Sequence, residues 1–239
     1  MKQCSFAVWV GLSALFVTNF SISAEPKDTI GKPASRPIRD APFFAKQAKE
    51  DAENWRMYLK KFCREPDLES LKSEKGLEVY RFIYQPCFHQ HLCLTAKVVE
   101  KKVVLEIRRF SEKGKLELSG SLEFDDQAVE GFRREFGRPE ICDPLRGLTD
   151  SQRDNLPMVL DGATWHLETL RDGKYTHAAL YSPDAFESLT KEERTEFKRE
   201  RGFDVPDLRE FVFSCLEFVS HSGLPLDAVY YEPMPRARK

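Results

Sequence analysis

The segment PCFHQHLC, residues 86–93, places two cysteines and two histidines at alternate positions. In an extended strand, the side chains of Cys87, His89, His91 and Cys93 would all point to one face. Neighbours on one face are about 6.6 Å apart, so the two outer cysteines would be about 20 Å apart. The ligands of one zinc ion must lie within about 2 Å of it. A straight strand therefore cannot supply all four ligands to one metal.

Three interpretations of this segment stay open. His89 and His91 could bind a metal together with a third ligand from elsewhere in the chain. Cys87 or Cys93 could form a disulfide, and a bond between the two would need a bend that brings their Cα atoms within about 7 Å. Pro86 favours such a bend. The residues could also be purely structural. We therefore name His89 and His91 only as candidate metal ligands and predict no cofactor.

A second group of polar residues lies in the segment ATWHLETLRDGKYTHAALYS, residues 163–182. Asp172 and Gly173 predict a two-residue hairpin turn, because glycine accepts the positive φ of a tight primed turn. Arg171 then pairs with Lys174. The alternation assigns the apolar face of this hairpin to the core, and that face carries Trp165, Leu167, Ala178 and Leu180.

The same register places Glu168 opposite His177 and His166 opposite Ala179, with Glu168 and both histidines on one face. Glu168 could raise the pKa of His177 by favouring its charged form. A carboxylate beside a histidine can serve acid–base catalysis, so these three residues are the candidate catalytic group. The alternative is a polar cross-strand pair on a solvated face, worth about 0.2–1 kcal/mol. The sequence contains no G-x-S-x-G, phosphate-binding glycine loop or H-E-x-x-H motif.

The elements that would position these residues follow from the apolar periodicity. Helical spacing predicts an amphipathic helix over residues 43–62, which Pro66 stops. From Gly76 the period is two, and it predicts four strands joined by short turns. The first has apolar residues on both faces, as an inner strand would. The last alternates cleanly, with one face formed by Leu116, Leu118, Leu122 and Phe124.

Three helical segments follow the meander. The first has a possible N-cap at Asp125 or Asp126 and ends at Gly137. The charged residues 189–202 predict a solvent-facing helix or an insertion. The last is a C-terminal helix with an apolar stripe formed by Leu208, Phe211, Val212, Cys215, Leu216 and Val219. These groupings predict an α+β fold: an antiparallel sheet, a meander plus a hairpin, packed against the C-terminal helix, with an additional N-terminal helix.

The first 24 residues have a basic start, an apolar run and small residues before Glu25, as in a secretory signal peptide. We predict cleavage after Ala24, a flexible lead over residues 25–42 and one α+β domain over residues 43–235. The alternative is an uncleaved membrane anchor, but the apolar run is shorter than the roughly 20 residues of a spanning helix. No other segment is apolar enough to cross a membrane, so no span is expected after cleavage. The predicted location is the periplasm or the exterior.

The net charge bears on the kind of binding partner, and the cysteine count bears on disulfide pairing. The leader carries one of the 37 basic residues and none of the 39 acidic ones, so its removal changes the net charge only from −2 to −3. This balance argues against nucleic acid as a partner. Export permits disulfides, but the number of remaining cysteines is odd, so at least one stays unpaired within the chain. We assign Cys215 as a buried free thiol. The others are Cys63, Cys87, Cys93 and Cys142.

Residues 161–183 read DGATWHLETLRDGKYTHAALYSP. This segment resembles one in a group of uncharacterised exported bacterial proteins, although Tyr181 stands where tryptophan is more usual. The matching positions are Asp161, Gly162, Trp165, Leu167, Glu168, Gly173, Tyr175, Tyr181, Ser182 and Pro183. The resemblance implies export and this fold, and the group has no activity to carry over.

Three functions are compatible with the sequence. The first is a non-enzymatic module that binds a protein or a small ligand in the periplasm or cell envelope. The second is a metal-dependent or acid–base hydrolase-like enzyme that uses either candidate group. The third is a structural component of the envelope.

Overall fold

The computed structural model describes residues 51–87, 89–156 and 162–226. The predicted leader, the lead and Asp161 lie outside these ranges. The six strands are β1 (Glu78–Pro86), β2 (His91–Val99), β3 (Lys102–Phe110), β4 (Leu116–Phe124), β5 (Ala163–Arg171) and β6 (Lys174–Tyr181). The helices are α1 (described over residues 51–63), α2 (Asp126–Phe136), α3 (Pro139–Cys142), α4 (Asp150–Arg153), α5 (Pro183–Ser188), α6 (Lys191–Arg201) and α7 (Arg209–His221). A 3₁₀ turn covers Leu68–Leu71.

The strands form one antiparallel sheet in the order β4-β3-β2-β1-β5-β6. This order confirms the predicted α+β fold with a four-strand meander and a hairpin. β1 lies between β2 and β5, where its apolar residues on both faces are buried. The sequence of this strand predicted an inner position.

The main core lies between one face of the sheet and the helices α2 and α7. Trp165 and Leu167 are buried there, as predicted, and Phe82 contacts the Trp165 ring edge-on at 5.7 Å. From α7, Phe218 packs against the Phe136 ring of α2 at 4.7 Å. Asp125 caps α2 by accepting hydrogen bonds from the next turn. The buried face of α7 confirms the predicted stripe and includes Phe211, Val212, Cys215 and Val219.

The opposite face of the sheet is covered by α1 and by the segment that follows it. Two smaller apolar clusters lie here. One contains Leu59, Cys63, Ile83, Cys93 and Phe110. The other contains Leu68, Val79 and Leu170. The interpretation of the hairpin's polar face as solvated is therefore wrong, because α1 packs across it and Glu168 is fully buried.

β4 departs from the predicted alternation at its start. Arg109 pairs with Leu118 while Phe110 pairs with Leu116, so Glu117 is an extra residue. This bulge shifts the side-chain period of the strand by one residue. Leu118 packs on the main core, whereas Leu116 packs beside Phe110 on the other face. The assignment of Leu116 to the same face as Leu118 was wrong for this reason.

The charged helix α6 has no buried residue, which confirms its predicted exposure to solvent. Thr190 and Glu193 form a capping box at its start, and Gly202 ends it in the left-handed region at φ 77°. Within the described ranges, no helix combines the length and apolarity that would let it cross a bilayer.

Candidate functional site

The hairpin register predicted from Asp172 and Gly173 is confirmed. Both residues have positive φ, 52° and 70°, as a primed turn requires. Glu168 pairs with His177, and His166 with Ala179. The three candidate catalytic side chains therefore share one face of the sheet.

The two histidines are hydrogen-bonded to each other. His166 Nδ1 lies 3.1 Å from His177 Nε2, and His166 Nε2 lies 3.0 Å from Gln85 Oε1. Because the Gln85 oxygen accepts, neutral His166 donates from Nε2 and accepts at Nδ1 from His177. Burial, together with the neighbouring His177, lowers the pKa of His166 well below its usual value.

Glu168 favours the charged form of His177, as expected, but the net pKa of His177 is still lowered. Burial lowers this pKa and outweighs the opposing effect of the Glu168 carboxylate. The Glu168 carboxylate is hydrogen-bonded to Arg81, Tyr175 and Trp55 and not to His177. His177 is therefore held neutral in the folded chain.

Trp55 of α1 lies over both histidines. Its ring stacks on His166 at 4.1 Å and on His177 at 4.8 Å, nearly parallel to each. Its indole Nε1 donates a hydrogen bond of 3.2 Å to Glu168 Oε1. One side chain of the N-terminal helix thus contacts all three candidate residues.

Glu168 is fully buried and both of its carboxylate oxygens are hydrogen-bonded. Oε1 also accepts from the Tyr175 hydroxyl at 2.7 Å, and Oε2 accepts from Arg81 Nη1 at 2.8 Å. Arg81 is fully buried too, directly opposite Glu168 in the β1–β5 pair. Glu168 and Arg81 therefore form a buried, hydrogen-bonded ion pair within the fold.

Arg81 extends the ion pair into a network. Its Nη1 donates to the Pro66 carbonyl at 3.1 Å and its Nη2 to Glu65 Oε2 at 3.2 Å. Glu65 in turn pairs with Arg108. The network continues from Arg108 to Glu106 and Lys97 at the partly exposed edge. Charges of opposite sign alternate along it, so the buried part is compensated.

The last turn of α1 places Glu65 in this network. Residues Leu59–Cys63 form a π-helical turn, and Arg64 ends it in the left-handed region at φ 57°. The Glu65 backbone N–H then bonds to the Leu59 carbonyl at 3.0 Å. Sequence reasoning missed Arg81, Glu65 and Arg108. The one signal was Arg81 itself, a charge at the centre of an otherwise apolar strand.

The segment PCFHQHLC spans the end of one strand and the start of the next. β1 ends at Pro86 and β2 begins at His91. Cys87 is exposed, 3.6 Å from the Tyr181 hydroxyl, while Cys93 is buried in β2 beneath α1. All five described cysteines are free, so the possible Cys87–Cys93 disulfide is not formed. The two side chains differ in burial because one precedes the strand and the other lies inside it.

His91, like His166, is buried under α1. Its Nδ1 lies 2.8 Å from the Tyr58 hydroxyl, and the Phe62 ring packs on it at 4.3 Å. Burial lowers its pKa to about 4. His89 lies in the turn outside β2. In the parts of the chain that are described, no cluster of three or more His, Cys, Asp or Glu side chains is placed to hold a metal.

The residues of the D-G … Y-S-P segment lock the ends of the hairpin together. Gly162 N–H donates to the Tyr181 hydroxyl at 2.9 Å, and Ala163 N–H donates to Ser182 Oγ at 3.2 Å. A Cβ on Gly162 would lie 1.9 Å from Ser182 Oγ, so only glycine fits there. Ser182 adopts a left-handed φ of 43° and Pro183 begins α5. These residues therefore have a structural role in the described part of the segment.

No family model, curated protein or solved structure matches this chain. The candidate residues are brought together, but each already has partners within the fold. Beside them, a pocket of about 80 Å³ between β6 and the α3–α4 segment is lined by His177, Cys142, Leu145 and Arg153 among others. This volume suits a few water molecules and not a substrate.

Proposed function

We propose that this chain is an exported binding module of the periplasm or cell envelope, and that it holds an extended segment of a protein partner along β4. The observation that carries this proposal is the outer edge of β4. This strand pairs with β3 alone among the described strands, and residues 119–123 are exposed. Its outward-facing backbone N–H and C=O groups are available to another strand.

The two edges of the sheet differ. At β6, α3 and the turn after it pack beside the strand and leave a pocket of only about 80 Å³ next to His177. At β4, no described element lies along the edge in this way. Proteins commonly shield long edge strands, so the unshielded edge is the better candidate for an interaction surface.

The sequence of β4 suits strand addition. Its nine residues include no proline, and Ser119, Gly120 and Ser121 place small side chains at its centre. Leu122 is 40% exposed and offers an apolar contact to alternate side chains of an added strand. The charged side chains near its ends are engaged sideways, as in the 3.1 Å pair between Glu123 and Lys102. None of the described strands pairs with the outer backbone edge of β4.

The geometry of the polar group favours binding over acid–base catalysis. Both oxygens of Glu168 and both ring nitrogens of His166 are hydrogen-bonded within the fold. Catalysis there would require Trp55 and the rest of α1 to leave the sheet. The leader-like first 24 residues support export.

Peptide selection followed by hydrogen exchange tests the binding proposal. The purified chain would be panned against a phage-displayed library of random dodecapeptides, and selected peptides would be synthesised. We expect them to slow amide exchange in β4 and to leave β6 unchanged. Substitution of Ser121 by Pro should weaken binding, because proline removes a donor and disfavours strand addition. The exposed Thr195→Pro variant would perturb α6 and serves as a control for general loss of structure.

Selected peptides that protect another surface, or that bind the Ser121→Pro variant as tightly as the wild type, would contradict the proposal. Sedimentation over a range of concentrations adds one further arm. Self-association that protects β4 would identify a second copy of the chain as the occupant in place of a different protein.

A further inference from the structure

Two buried thiols lie in one small apolar cluster between α1 and the sheet. Cys63 is the last residue of the π-helical turn, and Cys93 lies in β2, paired with Ile83 and Arg108. Both are at most 1% exposed and belong to the same five-residue cluster. Their side chains interact directly, and this contact with burial raises the pKa of Cys93 well above its usual value. The sulfurs are not bonded in this structure.

The other described cysteines lack such a neighbour. Cys215 is buried on the opposite side of the sheet, in the main core. Cys87 is exposed in the β1–β2 turn, and Cys142 ends α3 beside the Phe136 carbonyl. The pair formed by Cys63 and Cys93 is therefore distinguished by position and by mutual contact.

We propose that Cys63 and Cys93 form a disulfide that fastens α1 to the polar face of the sheet. The oxidant is a disulfide-bearing molecule or protein. One cysteine thiolate attacks the oxidant's disulfide, which releases one oxidant thiol and leaves a mixed disulfide. The second cysteine thiolate attacks the chain's sulfur in that mixed disulfide and releases the second oxidant thiol. The chain loses two protons and two electrons, and the electrons reside on the two released sulfurs.

Because Cys63 and Cys93 are buried, their disulfide can form only while the two sulfurs are accessible. In the closed fold, neither sulfur can be reached by an oxidant, and the raised pKa keeps Cys93 protonated. The reaction therefore takes place while α1 is undocked, during folding or in a local opening. Once formed, the bond is equally hidden from reductants. It would hold Trp55, on the same helix, over the histidines.

Mass spectrometry tests this proposal without any variant. The full chain would be produced with its own leader in a bacterium, and free thiols would be alkylated at acid pH in denaturant before digestion. A second sample would be reduced, unfolded and refolded in a mixture of oxidised and reduced glutathione. We expect a linked peptide pair containing Cys63 and Cys93 that reductant separates, with Cys215 alkylated in both samples. Alkylated Cys63 and Cys93 in both samples, or a link from either to another cysteine, would overturn the proposal.

Unfolding experiments supply an independent arm. Reductant should lower the urea midpoint of the wild type and of the Cys215→Ala variant by the same amount. It should leave the midpoint of a Cys63→Ala/Cys93→Ala double variant unchanged. Cys215→Ala is the control for the double variant, because both replace buried cysteines with alanine. A reductant effect that persists in the double variant would place the responsible bond elsewhere.

Discussion

Removing the charge of Glu168 is the sharpest perturbation of the buried network. The Glu168→Gln substitution keeps the size of the side chain and an oxygen that can accept from Tyr175 and Trp55. With the amide oxygen in that place, the amide NH2 takes the position 2.8 Å from Arg81 Nη1, where it carries no charge and cannot accept a hydrogen bond. Arg81 is fully buried, and among the described residues its charge would then be paired with Glu65 alone, which is shared with Arg108. Breaking a buried pair in this way costs about 3–5 kcal/mol.

The assay is urea unfolding at neutral pH, followed by far-UV circular dichroism. Glu123→Gln is the matched control, because Glu123 and Lys102 form an ion pair whose side chains are each 64% exposed. We expect it to cost less than about 1 kcal/mol. A Glu168→Gln loss below about 1 kcal/mol with an unchanged m-value would refute the reasoning.

Three further predictions test the contact of α1, the neutral histidines and the leader. Gly114 and Gly76 both have φ +75°, but a Cβ at Gly114 would lie 3.2 Å from the Phe62 ring whereas one at Gly76 meets nothing. Both changes to Ala should cost about 1–2 kcal/mol for the left-handed backbone, with about 1 kcal/mol more at Gly114 in urea unfolding; equal losses would mean that α1 does not pack there. Burial lowers the pKa of His91 from 6.5 to about 4, so below pH 6.5 the unfolded chain binds a proton that the folded chain does not. The free energy of unfolding present above pH 6.5 should therefore fall by up to about 3 kcal/mol as the pH drops to 4, and a His91→Phe variant should show a shallower fall; identical slopes would contradict this. Intact mass spectrometry of the exported product should give a chain that begins at Glu25, and retention of the first residues would contradict the predicted cleavage.

The strand pairing within the meander and within the hairpin was predictable because local signals determine it. Asp172 and Gly173 specify a primed turn, and a two-residue turn fixes every cross-strand partner of that hairpin. The stripe of α7 was predictable for a similar reason, since a helix with one apolar face must bury it. In both elements, neighbours in sequence carry the relevant information.

The environment of the candidate site was not predictable, because distant residues create it. Trp55 lies on a helix that is remote in sequence from Glu168. No local pattern in the sequence indicates that this helix packs across the hairpin. The π-helical turn adds a residue to the helical repeat and so places Cys63 and Glu65 inward. The bulge at Glu117 shifts β4 in the same way. Each irregularity changes which side chains face the core without changing the type of element.

Histidine modification by diethylpyrocarbonate most directly tests the claim that α1 covers the polar face of the sheet. His221 is 44% exposed and serves as the internal reference in the same sample. Peptide mapping of the native chain should find His221 modified while His166 and His91 stay unmodified until denaturant is added. Modification of His166 at the rate of His221 in the native chain would contradict the account.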